Sequence, residues 1–211
     1  MLIDHIAAAL IMRWVAEGGD WNTTMCTAFG STITYRQIYI VCKAIGRITF
    51  PGFCYFLVEG FYYTQSKAKY ALRLFMFALI SEIPFDWAFI THPAITENGI
   101  VNLMPEFGHQ NIFFSLLIGF GMMWLTDEMR KYFGKLQFKS KALGNAVKGL
   151  SYFAVILASC ILTNITKADY SAFGILAIAV MYFVYLPNGS DSELMKTKRM
   201  IAVFSGTAVL M

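Results

Sequence analysis

Charge is what this chain has least of: only 14% of its 211 residues are Asp, Glu, Lys or Arg, where soluble domains carry about a quarter. That scarcity excludes an ordinary water-soluble domain, a disordered chain and a nucleic-acid binder, each of which needs a dense charged surface. Cysteine is sparse as well. Of the four, Cys42, Cys54 and Cys160 lie in apolar stretches and Cys26 stands alone in a polar one. With no CxxC pair and no Cys/His cluster, neither a disulfide framework nor a metal site is expected. No basic region precedes the first apolar run, which instead holds Asp4 and His5, so a cleaved signal peptide is not expected there. Repeats, low-complexity tracts and linkers are also missing, and the reading is one integral-membrane domain over residues 1–211.

Apolar residues fill the space that charge leaves. They make up 57% of the chain, and the mean hydropathy is +0.56. The apolar runs fall at 1–16, 37–64, 70–90, 111–126, 147–164, 170–187 and 200–211. A bilayer-crossing helix needs about 20 such residues. Backbone groups in hydrocarbon must be satisfied internally, and runs this continuous do not alternate as barrel strands do. The expected fold is therefore all-α, a polytopic transmembrane helix bundle with six complete or near-complete spans and a truncated last one. Pro51 and Pro84 lie inside spans two and three and are expected to kink them.

Lys and Arg set the expected orientation. Eleven of them, Lys67, Lys69, Arg130, Lys131, Lys135, Lys139, Lys141, Lys148, Lys196, Lys198 and Arg199, fall in or beside one alternate set of polar segments. The other set has only Arg36 and Lys167. The positive-inside rule then puts 65–69, 127–148 and 188–199 in the cytoplasm, with the N-terminus, and 17–36, 91–110 and 165–169 outside, as in a multi-pass protein of the inner (cytoplasmic) membrane. The basic segment 130–148 would attract membrane lipid of negative charge or a nucleotide-bearing cofactor.

Ionisable residues inside spans are the informative exceptions. Asp4, His5, Arg47, Glu59, Glu82 and Asp86 each cost at least about 2.5–3.5 kcal/mol at a span centre, and such groups mark a functional site or pair to hold helices together. His5 titrates near neutral pH and suits proton transfer. Asp4 cannot face it across one helix position, and Arg47 is an equal candidate partner for Asp4. Arg47 offers a guanidinium to a carboxylate, phosphate or thioester oxygen, or an internal ion pair with Asp4 or Glu59. Glu82 and Asp86, spaced i,i+4 around Pro84, either share a proton or cation or cap the kinked turn. Arg73 opens span three, where it can also reach the interface as a snorkelling side chain. Asn111 and Ser115 open span four, and Asp169 opens span six as a candidate helix cap. His92 and His109 lie in the outer segment 91–110 and read as solvated.

The segments MLIDHIAA (1–8), IGRITFPGFCYFLVEGFYYT (45–64), KYALRLFMFALISEIPFDWAF (69–89), QNIFFSLLIGF (110–120) and ADYSAFGILAI (168–178) together resemble the TraX family, membrane proteins associated with N-terminal acetylation of conjugative pilin. The combination of IDH, GR-x-x-FP, VEGF, RL-x-x-FAL-x-SE-x-PFD and DY-x-x-xG carries the resemblance across most of the chain. Family members have further apolar residues before the IDH motif and a last helix with a YP-x-H motif, so the chain reads either as a shortened relative or as a fragment of a longer reading frame. The resemblance implies acyl transfer, with acetyl-CoA as donor, no metal, and an acceptor peptide or small molecule carrying the amine. On that reading His5 is base or acetyl carrier, with Asp4 and Arg47 beside it in the catalytic set. Arg47, Asn111 or Ser115 supplies donors to the oxyanion. Glu59 and Arg73 bound the coenzyme entrance, Glu82 and Asp86 belong to the binding set, and Asn111 and Asp169 meet the acceptor. The same intramembrane charges also suit a carrier, and the shortened ends a non-catalytic relative.

Overall fold

The computed structural model describes residues 2–28, 31–89, 110–138 and 140–185, together with 197, 200, 201 and 205. They are mostly helical. The chain divides into two compact units, one comprising residues 1–50 and 83–105, the other 51–82 and 106–211.

The first unit opens with α1 (Leu2–Ala7), passes through a π-helical segment, Ala8–Met12, and continues as α2 (Arg13–Ala16). Gly18, at φ +103°, ends it, with Gly18 N–H donating to Val15 C=O and Gly19 N–H to Trp14 C=O. A left-handed glycine of this kind is a common helix stop. Gly19 has a second reason to be glycine, since a Cβ there would stand 2.5 Å from the Trp14 ring. The following polar segment corrects the all-α expectation. It forms a two-stranded antiparallel hairpin, β1 (Thr24–Ala28) and β2 (Ser31–Thr34), pairing Cys26 with Ile33 and Thr27 with Thr32, with a bulge between Thr24 and Cys26. Four of these nine residues are threonine and one is isoleucine, side chains that fit an extended backbone better than a helix.

The long helix α3 (Tyr35–Tyr63) begins in the first unit and continues into the second, with Pro51 inside it at the unit boundary. The helix α4 (Lys67–Phe89) likewise contains Pro84, beside the boundary at residues 82 and 83. The second unit continues with α5 (Ile112–Lys135), α6 (Lys141–Ile165) and α7 (Ser171–Tyr185), the last three packing on one another. At Gly119, α5 has no room for a side chain against α7: a Cβ there would lie 2.4 Å from Ile178 Cδ1.

The second unit has an apolar core but also exposes large apolar side chains on its outer surface. Leu150 and Ile165 are 71% and 72% exposed, while Ser115 and Thr163 are completely buried. Hydroxyls on the helices are satisfied by their own backbone, Thr126 by Met122 C=O (2.7 Å), Ser159 by Val155 C=O (2.9 Å) and Thr163 by Cys160 C=O (2.9 Å). That arrangement suits a lipid surroundings, where nothing outside can accept those protons. Among the described residues, α3, α5 and α6 are long and apolar enough to cross a membrane. At 15 residues, α7 is about 22 Å long, short of the hydrocarbon thickness of about 30 Å. Six full spans are therefore not what the described helices establish. The expected spans at 37–64, 70–90, 111–126, 147–164 and 170–187 each coincide with a helix. The seventh run, 200–211, lies almost wholly outside the described residues.

Candidate functional site

Two polar clusters stand at opposite ends of α5, and α4 contributes to both. The first gathers around Asn111. As N-cap of α5 its backbone is extended (φ −67°, ψ 166°), and its Oδ1 accepts from Phe113 N–H at 2.9 Å. Its amide nitrogen reaches across to α4, donating to Ala78 C=O at 2.8 Å and to Glu82 Oε2, and its own backbone N–H donates to the same Oε2 at 3.2 Å. Glu82 is only 7% exposed. A carboxylate at that depth needs donors, and one asparagine supplies two of them from a helix N-terminus, where negative charge is favoured.

One turn further along α5, Ser115 donates its hydroxyl to Asp169 C=O in the turn between α6 and α7. That turn is also held at its backbone: Gln110 N–H donates to Lys167 C=O (3.2 Å), and Asp169 N–H donates to Gln110 C=O (3.0 Å). It is strained. Lys167, Tyr170 and Ser171 have φ of +50°, +61° and +45°, left-handed values that non-glycine residues rarely adopt and that persist where surrounding contacts impose them. The Asp169 carboxylate accepts from Tyr170 N–H at 3.0 Å, so it stabilises the strained turn instead of capping α7. A cleft of about 500 Å³ opens beside it, lined by Asn164, Lys167, Ala168, Tyr170, Ser171 and Phe173.

The second cluster, near the other end of α5, centres on Asp127. It accepts from Lys67 of α4 at 2.5 Å, from Arg130 at 3.0 Å and from Lys131 at 3.1 Å. Lys67 also sits over the Phe61 ring, 4.1 Å from its centroid. Between the two clusters α4 and α5 are joined by stacked aromatic pairs, Tyr70 on Phe120 (4.9 Å) and Phe77 on Phe113 (6.1 Å).

The structure thus brings Glu82, Asn111, Ser115 and Asp169 into one continuous cluster. His5 belongs to the other unit. It is half-buried, with its ring edge-on to Phe85 at 6.5 Å, in the last turn of α1 ahead of the π-helical segment. Interruptions of that kind in an α-helix often accompany functional sites. Glu59 is half-buried on α3 and Arg73 is exposed on α4. Asp4, Arg47 and Asp86 lie on α1, α3 and α4, but their side chains are outside what the structure describes, as are His92 and His109 entirely. In this structure Asn111 and Ser115 already spend their donors on α4 and on the Asp169 carbonyl, which makes them positioning residues for the Glu82 carboxylate and the turn. The Asp127 cluster was missed in the sequence. Its signal was there: a lone apolar-to-charged boundary, TDEMRK at 126–131, that placed an acid before its bases at helical spacing.

A family model described as "TraX protein" matches residues 1–208. A 49-residue stretch is 39% identical to a protein of Dichelobacter nodosus described as "Probable fimbrial assembly protein FimC, serogroup H1", covering 23% of this chain and 20% of that protein. The match thus spans about a fifth of that relative's length. No solved structure matches.

Proposed function

This chain belongs to the TraX family, and on that premise we propose that it is an integral-membrane acyltransferase, moving an acetyl group from acetyl-CoA in the cytoplasm to an amine at or across the inner membrane. The acceptor class is a peptide N-terminus or a similar small amine. The description of the D. nodosus relative as a fimbrial assembly protein supports a pilus-related acceptor.

The observation that carries the reading is the Asn111 cluster: a buried carboxylate, an amide and a hydroxyl held between α4, α5 and the backbone of a strained turn that itself lines an open cleft. Polar groups buried in an apolar bundle either mark a functional site or hold helices together, and the strained turn and cleft next to these favour the first. Carboxylates there suit an acceptor that arrives as an ammonium. Transfer requires the amine to lose a proton, attack the thioester carbonyl carbon and form the C–N bond. The C–S bond then breaks, and the coenzyme sulfur leaves with its electron pair and takes up a proton. We assign the first proton to His5, alternatively the carrier of the acetyl group. Arg47 or Asp4 acts as its partner, with Glu59 and Arg73 towards the coenzyme and Glu82, Asp86 and Asp169 towards the acceptor.

The test is transfer from labelled acetyl-CoA in membranes that contain the inserted chain. Wild type is expected to transfer label, His5→Ala to lose about 10²–10⁴-fold, and Glu82→Gln to retain insertion with reduced transfer. Absence of transfer by inserted wild type rejects the acyltransferase reading. Full transfer by His5→Ala rejects only the assignment of the base.

A further inference from the structure

The Asp127 cluster has no part in the chemistry just proposed, yet it is more than a surface ion pair. Asp127 is 6% exposed and carries a single negative charge, but it fastens three cations from two helices. Glu128 balances one of them through Lys131 at 2.8 Å, which leaves the group with a net positive charge. Lys67 is fixed from two sides, by Asp127 and by the Phe61 ring. Arg130 meets Asp127 through one terminal nitrogen and is 46% exposed, so most of the donors in its planar fork are not spent on the carboxylate. Lysines that merely obey the positive-inside rule need no buried carboxylate to arrange them.

A second observation comes from the aromatic wall behind the cations. The rings of Tyr62 and Tyr182 are stacked, with centroids 5.9 Å apart and planes 10° apart. Both hydroxyls are buried without a hydrogen bond of ordinary length to any described residue. Both lie within electrostatic reach of Asp127 and Arg130. Each hydroxyl has the other as a weak partner, which leaves donor capacity that a bound oxygen could take up. Rigid cations with spare N–H donors, backed by hydroxyls able to donate, match the oxygens of a phosphate group.

We infer that Lys67, Arg130 and Lys131, positioned by Asp127 and backed by Tyr62 and Tyr182, form a binding site for a phosphate group. Two sources carry that chemistry, the nucleotide portion of a coenzyme-A-type donor and the headgroup of an anionic phospholipid. Only the nucleotide source rests on the function proposed above.

Binding tests it without reference to turnover. The full chain is placed in phosphatidylcholine nanodiscs and titrated with adenosine 3′,5′-bisphosphate. In a second arm, phosphatidylglycerol replaces part of the phosphatidylcholine and its enrichment around the protein is measured. Arg130→Gln/Lys131→Gln is run beside wild type in both arms, since both side chains are about half exposed and their loss leaves the core intact. At least a tenfold loss of nucleotide affinity in the double variant assigns the site to a nucleotide. A comparable loss confined to phosphatidylglycerol enrichment assigns it to lipid. Tyr182→Phe is expected to weaken the same ligand by a few-fold. No binding by wild type in either arm, or equal binding by the double variant, overturns the site. Nucleotide binding without acetyl transfer would leave this site standing and reject the enzyme reading, so the two failures are distinct.

Discussion

The two ends of α5 solve one problem with opposite chemistry. Each buries a polar residue of α5 and ties it to α4, Asn111 to Glu82 and Asp127 to Lys67. The ties are 16 residues apart on α5 and 15 on α4, about 23 Å along each helix, so antiparallel helices are pinned at both ends in one register. At the Asn111 end a neutral amide and a backbone N–H serve one carboxylate, and the neighbouring turn is strained. At the Asp127 end one carboxylate serves three cations, and the backbone is regular helix. The first arrangement is buried and spends its donors within the cluster. The second has surplus charge and spare donors, which is what a site open to an anion requires.

The difference can be broken by substitution. Asn111→Ala should have the largest effect, because it removes a helix cap and takes the side-chain amide donor away from the buried Glu82 carboxylate. The expected cost is about 3 kcal/mol, read as a lowered unfolding midpoint in detergent. At the other end, a double-mutant cycle on Lys67→Met and Asp127→Asn should give a coupling of only about 1 kcal/mol, since Lys67 is partly exposed and water can replace its partner. A coupling as large as the Asn111 effect would show the two ends to be equally structural. The smallest effect is expected for Lys167→Gly, which relieves a left-handed residue at the cost of extra chain entropy and should stabilise by about 0.5 kcal/mol. If that variant is more stable but poorer in acetyl transfer, the strain in the turn serves the site. Unchanged transfer would show that it does not.

Much of the Asn111 cluster was legible beforehand. Glu82, Asn111, Ser115 and Asp169 stood out as polar groups in or beside apolar runs, and all four meet. Their roles were less legible. Asp169 reads as a helix cap from its position, but its carboxylate turns to Tyr170 and its carbonyl to Ser115. Tyr62 and Tyr182 gave no signal, because a tyrosine in an apolar run looks like core until its buried hydroxyl is seen to make no hydrogen bond of ordinary length. The hairpin at 24–34 hid in a segment judged by polarity alone, where the run of threonines was the clue.

The amino-acid sequence by itself determined that this is a helical membrane protein of the TraX family, because scarce charge, long apolar runs and ordered motifs are properties of the chain read in one dimension. Tertiary structure decided which polar residues share a site. Glu82 and Asn111 are 29 residues apart, and Lys67 and Asp127 are 60 apart. Whether such pairs meet depends on the register between antiparallel helices, which the aromatic stacks between α4 and α5 help to set, and helical periodicity within one segment carries no information about the rise of its neighbour.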